Sequence, residues 1–152
     1  MIATGLGSNG LKIWNANSGE LFKTFKGIFS CLAWTSDGKT LIAERSKFDT
    51  ATWTEVELRT NYVSAISVFP NDRILAITSY PEKTAQLWDL EKNQPIGKPL
   101  HHQEYVYSAT FSVDGKFLVT HCLNGYIYIW DISIVKEAGL PSDIVSIDKF
   151  HF

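Results

Sequence analysis

Ala109-Thr110-Phe111-Ser112-Val113-Asp114-Gly115-Lys116, followed by Ile127-Tyr128-Ile129-Trp130-Asp131, is the stretch on which the reading of this chain turns. In the first string apolar residues alternate and then run into Asp-Gly, which supplies the positive φ values that a tight reversal needs, so it reads as a strand entering a hairpin. The same pattern recurs as Leu32-Ala33-Trp34-Thr35-Ser36-Asp37-Gly38-Lys39. It recurs again, with a Pro-Asn-Asp turn, as Ile66-Ser67-Val68-Phe69-Pro70-Asn71-Asp72-Arg73. The second string has counterparts in Leu11-Lys12-Ile13-Trp14-Asn15, Thr50-Ala51-Thr52-Trp53-Thr54 and Ala85-Gln86-Leu87-Trp88-Asp89, and the tryptophans are spaced by 39, 35 and 42 residues.

Helical periodicity is absent over more than a few residues until Ile134-Val135-Lys136-Glu137-Ala138, where a turn or two of helix is predicted before Gly139 and Pro141 end it. The fold class is therefore all-β. Many short strands with frequent turns permit a sandwich, a barrel or a propeller, and a period near 40 residues selects the propeller.

On these strings the chain resembles the WD-repeat family from Ile2 to about Ile132, best in its last repeat. The resemblance implies a hydrogen-bonded set of a His, a Ser or Thr, an Asp and the Trp bracing each blade, which maps here to His102, Thr120, Asn124 and Trp130. A buried indole N–H or imidazole left without a partner costs about 1–3 kcal/mol, which is the reason for such a set. Asn124 replaces the carboxylate with a neutral acceptor, so the set should be weaker than the family pattern. In the first repeat Thr4, Ser8 and Trp14 stand at matching offsets. The third keeps Thr78 and Trp88, with Glu82 at the acidic place and Arg59-Thr60 where the His would be. In the second, Ala43 and Lys47 take the Thr and Asp places and leave Trp53 without a network.

The strands group into about three and a half four-stranded blades of a partial propeller, approximately 1–27, 28–60, 61–100 and 101–132. Residues 133–152 form a tail with a short helix and a candidate strand at Ile144-Val145-Ser146-Ile147-Asp148. Counting strands around each tryptophan gives three, four, four and three. Repeat units cannot bury their faces alone, so a fragment of a longer chain is expected first. Self-association that completes the ring and an open arc are the alternatives.

With 152 residues, of which 45% are apolar and 13% aromatic, the chain has the makings of a folded core. A net charge of −2 offers no basic field for a phosphate backbone, so nucleic acid is not an expected partner. No apolar run reaches membrane-spanning length and no secretory leader is visible. The two cysteines, Cys31 and Cys122, sit apart in apolar runs, so we expect an intracellular, reduced protein, cytoplasmic and compatible with the nucleus.

His101, His102, His121 and Cys122 are suitable metal ligands by type. Neighbours on a strand point to opposite faces, so His121 and Cys122 cannot reach one ion, and no metal or cofactor is expected. Gly5-Leu6-Gly7-Ser8-Asn9-Gly10 lacks the helix and the Lys-Ser/Thr pair of a phosphate loop and reads as a hairpin turn. No nucleophile elbow is present. The repeat aromatics Trp14, Trp34, Trp53, Phe69, Trp88, Phe111 and Trp130 read as packing between blades. Tyr62, Tyr105 and Tyr107 open the first strands of blades, on the rim where the resemblance places a binding face. Pro81, Glu82 and Leu123 occupy turns on that same rim. Tyrosine is favoured at interfaces for its large area and few rotors. The expected function is a non-catalytic scaffold for a protein or peptide partner. A propeller-type hydrolase and a purely structural remnant of a larger propeller are the competing readings.

Overall fold

The structure is a computed structural model that describes residues 1–5, 7–60, 62–133 and 146–151. These residues form four antiparallel sheets in chain order, each a simple meander. The first has three strands, β1 (Ile2–Gly5), β2 (Leu11–Trp14) and β3 (Leu21–Phe25). The second comprises β4 (Leu32–Trp34), β5 (Thr40–Ala43), β6 (Ser46–Asp49) and β7 (Glu55–Glu57). The third comprises β8 (Ala65–Val68), β9 (Ile74–Ser79), β10 (Thr84–Asp89) and β11 (Gln94–His101). The fourth is β12 (Val106–Phe111), β13 (Phe117–Cys122), β14 (Tyr126–Asp131) and β15 (Ser146–His151). The fourth sheet therefore holds four strands where counting around Trp130 gave three. The helix expected at Ile134–Ala138 lies outside the described residues.

Successive side chains on a strand point to opposite faces, and each inner sheet uses both of its faces. Leu41 and Phe48 turn toward the first sheet and pack with Leu11 and Ile13. Ile42 turns the other way and meets Leu75, Ile77 and Trp88 of the third sheet. The opposite face of that third sheet, carrying Ala76, Ala85, Leu87 and Leu100, closes on Leu118, Tyr128 and Trp130. The blades stack like pages, and all six residues of β9 are buried. Burial of each large apolar side chain between blades contributes about 1.5–3 kcal/mol.

The turns are built to a common plan. Asp37 and Asp114 each accept a hydroxyl hydrogen bond, from Thr35 at 2.8 Å and from Ser112 at 2.7 Å. Each also accepts the backbone N–H two residues on, from Lys39 at 2.9 Å and Lys116 at 3.0 Å. Gly38 and Gly115 supply φ of 67° and 64°. In the third sheet Asn71 takes the aspartate's part, accepting from Arg73 N at 2.9 Å, and Asp72 adopts φ 59° where the others use glycine. The residue at the end of β6, β10 and β14, and the one just past β2, caps the next turn in the same manner. Asn15, Asp49, Asp89 and Asp131 accept from the N–H groups of Asn17, Ala51, Glu91 and Ser133 at 2.9–3.0 Å.

That equivalence corrects the tryptophan repeat. Trp14, Trp88 and Trp130 pair across their hairpins with Ile2, Leu75 and Leu118, and the residue paired in this way with Leu41 is Phe48. Phe48-Asp49 thus fills the Trp-Asp place of the second blade. Trp53 sits beyond it, in the β6–β7 turn at φ 58°, buried against the rings of Phe22 and Phe25 with centroids 6.0 Å away. Phe48 has no N–H to satisfy, so the absence of a hydroxyl at Ala43 leaves nothing unpaired.

Candidate functional site

Hydrogen bonds inside the blades brace the strands whose ends form the rims. In the last blade the Trp130 indole N–H donates to Thr120 Oγ1 at 2.9 Å, and His102 Nε2 lies 2.7 Å from the same oxygen. The indole is donor only, so Thr120 accepts from it and is free to donate its own hydrogen to His102 Nε2. The direction of that second hydrogen bond follows the imidazole tautomer. Among the described residues Nδ1 finds no hydrogen-bond partner. Asn124, expected in this set, instead turns its Oδ1 to Tyr126 N at 3.3 Å and caps its own turn. Burial drives the His102 pKa down from 6.5 to about 4, the nearby carbonyls of Lys83 and Leu100 oppose the shift, and His101 adds slightly to it. The His102 ring meets Tyr128 and Trp130 edge-on at 4.8 and 5.1 Å between centroids.

The first blade repeats half of this, with Trp14 N–H donating to Thr4 Oγ1 at 2.9 Å. Ser8 stands in the neighbouring turn, and its side chain lies outside those described. The third blade does not join Thr78 to Trp88. Trp88 lies 13 positions after its cross-strand partner Leu75, whereas Trp130 lies 12 after Leu118. One extra residue in the hairpin turns the residue ten before the tryptophan onto the other face. Thr78 accordingly accepts from Ala65 N at 2.9 Å, and Trp88 donates to Asn93 Oδ1 at 3.3 Å.

One end of the stack carries the β5–β6, β9–β10 and β13–β14 turns together with the connections between sheets. Leu123 N donates to Tyr105 O at 2.9 Å and Lys83 pairs with Glu104 at 3.3 Å, which ties these loops to one another. Tyr62 and Tyr107 are each 65% exposed here and Leu123 58%, while Pro81 and Glu82 are exposed beside them. Tyr107 stands edge-on to His121 at 6.2 Å. Tyr105 is half-buried, stacked on Tyr80 at 4.1 Å with Lys83 Nζ 4.9 Å from its ring centre. The sequence reading passed over Tyr80 and Ile28, both exposed at this end. Tyr80 could have been found as an aromatic placed directly before Pro81 in a hairpin turn, where no core is within reach.

His121 is exposed and Cys122 buried on opposite faces of β13. Among the described residues no group of three or more His, Cys, Asp or Glu side chains could hold a metal ion. Cys31 is a thiol pushed up to about 12 by burial and by the Glu44 carboxylate, whose Oε2 lies 3.7 Å from its sulfur, so it is a poor nucleophile. No helix among the described residues is long and apolar enough to cross a membrane.

Residues 93–131, which span β11 to β14, match the family described as "WD domain, G-beta repeat". The chain is similar to WD-repeat proteins. Over 78% of its length it is 27% identical to Periodic tryptophan protein 2 homolog of Dictyostelium discoideum, of which it covers 14%. Over 95% of its length it is 26% identical to Autophagy-related protein 16 of Arabidopsis thaliana, of which it covers 31%. It is also 26% identical, over 87% of its length, to human WD repeat and SOCS box-containing protein 1, of which it covers 24%. The WD-repeat blades described here thus span a third or less of the length of these relatives. Proteins of WD-repeat type are in general non-catalytic interaction scaffolds.

Proposed function

We propose that these blades are a rigid platform whose loop-bearing end binds a protein or peptide partner without catalysing a reaction on it. The observation that carries this reading is the gathering of Tyr62, Tyr80, Tyr107, Ile28 and Leu123, all exposed, on one end of the stack. Single exposed apolar residues are ordinary on any surface, but several at one end beside a preformed stack point to a surface meant to be covered. The Tyr80–Tyr105 stack, held by Lys83, presents its ring already ordered. That lowers the rotamer entropy lost on association.

Fold alone does not choose a partner, so the reading stands on the site. A photo-crosslinking residue placed at Tyr62 or Tyr107 is expected to capture a discrete protein or peptide. The same probe at Val113, 96% exposed in a turn at the opposite end, should capture none. Equal capture from both ends, or none from either, would sink the reading.

A further inference from the structure

At the outer rim between the second and third blades lies a recess of about 370 Å³ lined by Arg59, Trp88, Lys92, Asn93, Gln94 and Pro95. Its floor is fixed. Asn93 accepts from the Trp88 indole at 3.3 Å and donates its amide hydrogen to Glu57 O at 3.1 Å, which joins the β10–β11 turn of one blade to the edge of its neighbour. Its walls carry two cations and no carboxylate. Arg59 and Lys92 make no ion pair with any described residue. The acidic side chains close by are engaged by other cations. Glu57 pairs with Arg45 at 3.4 Å, while Asp89 and Glu91 share Arg73 at 3.2 and 3.5 Å. On a chain of net charge −2 this leaves a locally positive hollow, with the exposed Gln94 as a further side-chain donor at its lip.

We infer that this recess is a binding site for a single small oxyanion, the carboxylate or phosphate group of a partner's side chain. Arg59 presents a planar fork of donors suited to two oxygens at once, and Lys92 a compact charge, so the pair suits an anionic group seated against Pro95 and the edge of Trp88. The site is on the rim, apart from the aromatic end, and stands or falls independently of the platform reading.

The test uses the full chain, labelled with 15N, and follows the Trp88 indole and Gln94 amide signals at constant ionic strength held with chloride. Titrations with inorganic phosphate and with N-acetylglutamate N-methylamide separate the two sources of the anion. Saturable shifts of both signals are expected in at least one titration. The anion that saturates at the lower concentration names the source. Arg59→Gln and Lys92→Gln, both exposed changes that leave the core untouched, are each expected to weaken that binding about tenfold. Shifts that grow linearly without saturating in both titrations would overturn the inference. So would saturation unchanged in both variants.

Discussion

One hydroxyl, Thr120 Oγ1, is shared by an indole N–H and an imidazole nitrogen in the interior of the last blade. Thr120→Ala removes both contacts and strands two buried polar groups, so its thermal melt is expected to report a loss of roughly 1–3 kcal/mol. Thr120→Ser, which keeps the oxygen, should recover most of that. Thr4→Ala in the first blade should cost less, since Trp14 there is only half-buried and water can replace the lost acceptor. His102 adds a pH dependence. Its folded pKa of about 4 lies below the unfolded value of 6.5, so the unfolded chain binds the proton first. The contribution is fully present above pH 6.5, falls as the pH drops from 6.5 toward 4, and levels off below. Denaturant melts across that window should show this slope, and His102→Gln should flatten it. The resemblance to the WD-repeat family singled out His102, Thr120 and Trp130 from the sequence. The role of Asn124 was not legible there, because an amide that can cap its own turn does so locally, and spacing cannot separate that from reaching a distant ring.

At the scale of elements, the turn that begins at Phe69 is tied to the equivalent turn of the preceding blade. Asp72 accepts from Ser36 N at 2.7 Å and from the Ser36 hydroxyl, and Asp37 N lies 3.3 Å away. Asp72 holds a left-handed backbone that favours glycine, and these contacts offset that cost. Ser36→Ala and Asp72→Gly should therefore be non-additive. A double-mutant cycle in denaturant is expected to give a coupling of about 0.5–1.5 kcal/mol, and strict additivity would mean that the tie contributes nothing. The strand-turn pattern that organised the sequence reading came from Asp-Gly and alternation, which are local. Two matters that depend on pairing escaped it. Phe48 went unseen because the search followed tryptophan, and Trp53 lay close enough to the expected period to take its place. The face of Thr78 was misjudged because one added residue in the β9–β10 turn alters register without altering composition. The candidate strand at 144–148 overlaps β15, whose described bounds are Ser146–His151.

Over the whole molecule, stability should follow how many faces of a sheet are covered. Among the described residues each blade packs on its neighbours, so local opening is expected to be graded along the stack. The amides of β9 and β10 lie in a sheet packed on both sides and should exchange with solvent most slowly in this chain. Those of β3 and β7, thin outer strands with few buried residues, should exchange fastest. Uniform protection across the sheets would contradict this and mean that the blades open as one unit. The all-β class, the repeat length and the stacking of blades were readable from the sequence because each blade must bury two apolar faces, and that demand is written in alternation. The positive recess at Arg59 and Lys92 was not readable, since it arises where residues from two blades meet.

The pairing of Ser36 with Asp72 also limits how this sequence can vary. A left-handed turn position holds aspartate in place of glycine at less cost when a donor stands across the gap between blades. Among related sequences the two positions are expected to vary together, with glycine returning at 72 wherever the serine is lost.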